Sequence, residues 1–187
     1  MQLREAAAIL FKGSKKKFNA RQDATWKPPP DTSIKINVDG STRGTPGVSA
    51  IGGLGRSSSR DWLFGFAGRI DRGFAISAEI RVITYGLTSA WNKGFRNVLV
   101  ESDSSQAIQF ICRDMIPPSD LIPAIQECND LINRNWTFEI NYVVREANSC
   151  ADILARIGHQ FTMDIQDFDI PPPCLTVTLA RDRLGLG

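Results

Sequence analysis

Between residues 34 and 70 the apolar positions of this chain follow a period of two, and from residue 76 to residue 91 they follow a period near 3.6. Ile34, Ile36 and Val38 alternate with Lys35, Asn37 and Asp39, which predicts a strand with one apolar face that ends at Asp39. "STRGTPG" reads as a turn. "VSAIGGLGR" reads as a second strand, whose glycines point to a bulge or a close backbone approach. "SSSRD" is another turn and "WLFGFAGRI" a third strand, so the three make an antiparallel meander. Ile76, Ile80, Ile83, Leu87 and Trp91 then mark one face of a helix closed by Lys93 and Gly94.

The rest of the chain alternates. "NVLVESD" reads as a short buried strand, followed by a helix carrying Ala107, Ile108 and Ile111 with Ser104 or Ser105 as its cap. Ser119 or Asp120 starts a helix that runs to about Arg134, and "WTFEINYVV" alternates as a strand. A last helix carries Ala151, Leu154 and Ile157, with Asn148 as its cap and Gly158 as its stop. This order predicts an α/β domain: a five-stranded mixed sheet, with strands 1–3 as a meander before strands 4 and 5, and helices on both faces. Pro28, Pro29 and Pro30 mark an extended linker. The expected layout is therefore a basic linker over 1–30, a domain over 31–160 and a proline-containing tail over 161–187.

Four acids fall at comparable places in that order. Asp39 ends strand 1, Glu79 lies early in the first long helix, Asp103 ends strand 4, and Asp152 lies near the start of the last helix. Taken singly, Glu79 and Asp152 would complement helix dipoles, Asp103 would serve as a helix cap, and Glu101 would be a strand-face charge. Parallel strands present their carboxyl ends along one sheet edge, where sites collect. If strands 1 and 4 are parallel neighbours, the four acids meet, and such a cluster is self-repelling unless cations fill it. Magnesium suits hard oxygen ligands, and a pair of such ions suits a phosphoryl displacement.

"INVDGS", "AEIRVITYGLTSAW", "VLVESDSSQAI" and "VREANSCADILARIG" together resemble ribonuclease H of type one. The likeness is in particular to the ribonuclease H domains of plant retroelement reverse transcriptases and their stand-alone relatives. The leading "WKPP" and trailing "PPPCLTVTLARDRLG" are also similar to that group, so the resemblance runs from Trp26 to Gly187. It implies a ribonuclease H-like fold and a catalytic, metal-binding set of Asp39, Glu79, Asp103 and Asp152. Two Mg2+ ions are implied, with Mn2+ as a substitute, and cleavage of the RNA strand of an RNA–DNA hybrid by a monomer. Gly40, Ser41, Arg43, Arg72 and Ser77 are the candidate substrate contacts.

The chain departs from the better-known members of that family in three places. Their loop histidine before the last helix is missing, and the single histidine, His159, comes after that helix and reads as a helix-end residue. Ala75 and Ile76 stand where amide side chains read RNA 2′-hydroxyls, leaving Ser77 as the polar residue there. The stretch from Asp103 to Asp152 leaves little room for a basic protrusion. The alternative reading is a module of the same fold that docks nucleic acid or protein with little or no activity. A proofreading-type exonuclease is disfavoured, because its second acid would stand where Ser41 does.

Charge and cysteines bound the setting. Residues 1–30 carry seven Lys or Arg against two Asp or Glu, while the remainder carries fifteen against eighteen. The basic stretch suits a polyanion contact, and Lys15–Lys17 suit part of a nuclear address. Cys112, Cys128, Cys150 and Cys174 form no CxxC pair, which argues against zinc and for reduced thiols in an intracellular compartment, nuclear or cytoplasmic. The apolar run Ala6–Phe11 is too short to span a membrane.

Overall fold

The computed structural model describes residues 24–162 and 164–186. Residues 1–23, which hold most of the basic linker and Lys15–Lys17, lie outside the described residues. The elements run β1 (Ile34–Gly44), β2 (Gly47–Ser57), β3 (Trp62–Gly73), α1 (Ala75–Asn92), β4 (Asn97–Ser102), α2 (Ser105–Ile111), α3 (Ile122–Ile132), β5 (Thr137–Tyr142), α4 (Ser149–Gly158), β6 (Ile165–Phe168) and α5 (Thr176–Leu184). The sheet order is β5-β4-β1-β2-β3-β6. β4 is parallel to both β1 and β5, whereas β1–β2, β2–β3 and β3–β6 are antiparallel. The mixed sheet expected from the sequence is present, but with six strands instead of five. β6 escapes the periodicity because it is a four-residue edge strand with two polar residues. Gly68 admits it: a Cβ there would stand 2.4 Å from the Ile165 Cα.

Helices cover both faces. On one, Ile36, Val38, Ile51, Phe64 and Phe66 of the sheet meet Ile80, Ile83 and Leu87 of α1, with α2 and α3 completing the core. On the other, Leu54 and Ala67 meet Ala151 and Leu154 of α4 and Leu175, which precedes α5. Gly52 lets α4 lie directly on β2, since a Cβ there would be 2.1 Å from the Ala155 nitrogen.

β1 does not stop at Asp39. It loses β4 after Val38 but keeps β2 as a partner through Gly44, so "STR" is strand rather than turn. Its alternating polar residues are not solvated either. Lys35, Asn37 and Asp39 are all buried, because α4 and the segment around Trp26 cover that face. Lys35 pairs with Glu101 at 2.5 Å and donates to the Lys27 carbonyl at 2.6 Å. Glu101 is thus a buried ion-pair partner rather than an exposed strand-face charge. The Asn37 side-chain Oδ1 accepts from Trp26 Nε1 at 2.8 Å and from Arg56 Nη2 at 3.0 Å. No helix among the described residues is long and apolar enough to cross a membrane. None of the four cysteines is in a disulfide, and Cys128 and Cys150 are buried.

Candidate active site

The parallel register of β1 and β4 ends with Val38 opposite Ser102. Asp39 and Asp103 are the next residues on the two chains, so the topology alone sets them side by side. β1 is held from above by α1, and Gly40 makes that contact possible. A Cβ on Gly40 would lie 2.6 Å from both the Ala78 carbonyl carbon and the Glu79 nitrogen. The closeness delivers Glu79, whose Oε2 accepts from the Gly40 N–H at 3.2 Å. Asp103 is not spent as a helix cap, because Ser104 caps α2 by accepting from the Ala107 N–H at 3.3 Å.

Asp39, Glu79 and Asp103 each offer an oxygen within 4.8 Å of the others. They line a cleft of about 260 Å³ with Gly40, Ser41, Ala75, Ile76, Ser104, Gln106 and Arg145. At such separations each pair of ionised carboxylates repels by about 3–4 kcal/mol at an effective dielectric near 20. Burial, then the charges of Asp103 and Asp152, push Asp39 up to about 8, against the opposing pull of Arg145. Burial, then Asp39 and Asp103, hold Glu79 well above the usual carboxylate range, and the Gly40 N–H works against this. Hard oxygen donors that cannot all ionise alone are what a divalent cation relieves, so the three fit a hard divalent cation.

Asp152 stands apart from this trio. It is buried close enough to act on Asp39, but its oxygens are taken by Arg145 Nη2 and by Arg156 Nη2, the latter at 2.8 Å. Asp152 itself raises Arg145 further above its usual value, through a hydrogen bond and its charge. The structure therefore converges three of the four expected acids and holds the fourth beside them in an ion-pair network. Of the candidate substrate contacts, Gly40 and Ser41 line the cleft. Arg43 and Arg72 are exposed at the ends of β1 and β3, and Ser77 lies in the first turn of α1.

Sequence reasoning missed Arg145, Gln106 and two asparagines. Asn148 was expected to cap α4, but its side chain makes no cap bond. Its amide nitrogen donates to the Val38 carbonyl at 2.9 Å and to Asp103 Oδ1 at 3.4 Å, and its oxygen accepts from the Asn37 amide at 3.2 Å. The Asn37 amide also donates to Glu101 at 3.1 Å. A signal for Asn37 was present, because it shares a strand face with Asp39 two residues on.

Residues 37–158 match the family described as reverse transcriptase-like. A protein of Arabidopsis thaliana with a provisional ribonuclease H name is 32% identical over 160 residues, which are 86% of this chain and 26% of that protein. The chain thus spans about a quarter of that relative's length. Ribonuclease H1 of Halobacterium salinarum shares the fold with a TM-score of 0.66 at 23% identity, over 68% of this chain and 98% of that one. The N-terminal ribonuclease H domain of a Mycobacterium tuberculosis protein gives 0.63 at 25%, over 68% and 94%. A compost-derived RNase H1 in complex with an RNA/DNA hybrid gives 0.62 at 21%, over 66% and 94%. The matched span holds all four acids and leaves Trp26, β6 and α5 outside it. On these grounds the chain belongs to the reverse transcriptase-like family and has the ribonuclease H-like fold.

Proposed function

We propose that this chain is a metal-dependent endonuclease that hydrolyses the RNA strand of RNA–DNA hybrids. The observation that carries this reading is the trio Asp39, Glu79 and Asp103, aimed into one cleft where the pairing of β1 with β4 ends. These three side chains would hold the divalent ions, Mg2+ or Mn2+, with Asp152 adjoining. Two such ions, when bound, neutralise charge at the attacking and leaving oxygens of a phosphoryl displacement. The chain's own share is placement. The Gly40 N–H orients the Glu79 carboxylate, Asn148 fixes Asp103 against β1, and Lys35 keeps Glu101 out of the cluster. Gly40 and Ser41, which line the cleft, would meet the strand being cut, with Arg43, Arg72 and Ser77 as outer contacts.

A docking module without activity is the second reading. The ion pairs of Asp152 with Arg145 and Arg156 favour it, because they occupy the fourth carboxylate. One gel assay with a labelled hybrid separates the two. The parent should cut the RNA strand with Mg2+ and not with EDTA, and it should leave DNA duplex intact. Glu79→Gln and Asp103→Asn should each abolish cutting while hybrid binding persists. A folded parent that binds hybrid but cuts with neither Mg2+ nor Mn2+ would establish the docking reading.

A further inference from the structure

The antiparallel registers place Ser41, Ala50 and Arg69 in one row across β1, β2 and β3. Side chains directly opposite one another share a face. That face is the one α4 covers, because Gly52, two residues from Ala50, lies against Ala155. α4 ends above this row, with Gly158 over Gly68 and Ile51, and His159 follows as its C-cap. The His159 imidazole Nε2 lies 3.1 Å from the Ser41 hydroxyl. Arg43 continues the same face of β1, two residues beyond Ser41.

Two polar atoms here have no hydrogen-bond partner among the described residues, Arg69 Nε and His159 Nδ1, and both are buried. Arg69 is half-buried with its Nε enclosed, so it is through its terminal guanidinium nitrogens that this side chain can meet an acceptor from outside. The charges of Arg43 and Arg69, after burial, lower the basicity of His159, which places all three in one positive field. Along β1, Ser41 lies two residues from Asp39, about 7 Å. That step is on the scale of the spacing between successive phosphates of one nucleic-acid strand.

We propose that Ser41, Arg43, Arg69 and His159 form a phosphate subsite for the polynucleotide backbone, one phosphate along from the group presented to Asp39, Glu79 and Asp103. The subsite rests on the nuclease reading for what occupies the cleft, but it is a binding claim and can be read without cleavage. Arginine side chains hold phosphate through charge-assisted hydrogen bonds, the Ser41 hydroxyl supplies a donor, and the imidazole keeps that hydroxyl in place. His159 is a positioning residue in this arrangement.

The test is fluorescence anisotropy of the full chain with a labelled RNA–DNA hybrid in EDTA, across a salt series. Arg69→Gln should weaken binding about tenfold and reduce the slope of log K against log salt by about one. His159→Ala should weaken binding without changing that slope. Hybrids carrying one neutral methylphosphonate linkage, moved stepwise past the cleaved position, probe the subsite with the parent protein and so do not depend on how a variant folds. One linkage should weaken the parent, and Arg69→Gln should be indifferent to that same linkage. Cleavage by the parent with binding unchanged in both variants and at every linkage overturns the subsite alone. Weakened variants from a parent that never cuts keep the subsite and overturn the nuclease. A parent that binds no hybrid overturns both.

Discussion

Asp39 and Asp152 are buried acids at the same sheet edge, and their neighbours treat them oppositely. Asp152 has two arginines, while Asp39 has two further carboxylates. In metal-free protein the folded state therefore keeps a proton on Asp39 up to about pH 8, whereas the unfolded chain releases it near its ordinary value of 3.8. The folded state binds more protons across that window, so stability falls as pH rises from about 4 to about 8. The raised Glu79 acts in the same direction. Thermal melts in EDTA should show Tm falling from pH 5 to pH 8, with Asp39→Asn flattening the fall; a parent with no fall would remove the account of the cluster. Millimolar Mg2+ should raise the Tm of the parent through binding to the native state, and raise that of Asp39→Asn less. Lys35 gives a contrasting case. Lys35→Met strands Glu101 as a buried charge and should cost about 3–5 kcal/mol by denaturant titration, while adding Glu101→Leu should recover most of it. The acids were legible because Asp103 follows β4 directly, Glu79 and Asp152 lie in the first two turns of their helices, and Asp39 stands where β1 parts from β4. The partners of Asp152 and the asparagine pair were not, since Asn37 and Asn148 meet across 111 residues of chain and no local period encodes that.

At the scale of elements, the site depends on how closely α1 can approach β1. Gly40→Ala places a methyl against the backbone of Ala78 and Glu79, so the helix must retreat. We expect about 1–3 kcal/mol of lost stability and a larger proportional loss of Mg2+ affinity, because Glu79 moves away from Asp39. Calorimetric titration of the folded variant checks this, and unchanged affinity would mean that the approach does not set the site. The three meander strands, α1, β4, β5 and α4 were legible from their periods. The true end of β1 was not, because "STRG" looks like turn chemistry while its pairing to β2 is decided by the facing strand. β6 was hidden for a similar reason: its partner is β3, almost a hundred residues earlier, and Gly68 on that strand makes the room.

Across the whole molecule, the two flanks of the matched span converge on one side chain. Arg56 lies 3.7 Å from the Trp26 ring and pairs with Asp182 of α5 at 2.5 Å, while its other nitrogen reaches Asn37. Removing residues 161–187 takes away Asp182 and Leu175 together and leaves Arg56 buried without its counter-charge. Such a truncation should lower stability by several kcal/mol, as breaking a buried pair and emptying a core site each do, which urea titration would measure. The same clasp bears on how the domain would respond to tension. A pull applied at residues 24 and 186 loads the Trp26–Arg56–Asp182 junction before it reaches any strand pair of the central sheet. In an optical trap the first event should be a short extension at low force as this junction opens, with the sheet rupturing later at higher force. Arg56→Met should erase the first event and leave the second, so the clasp would act as a mechanical fuse between the two points of pull and the acidic edge of the sheet.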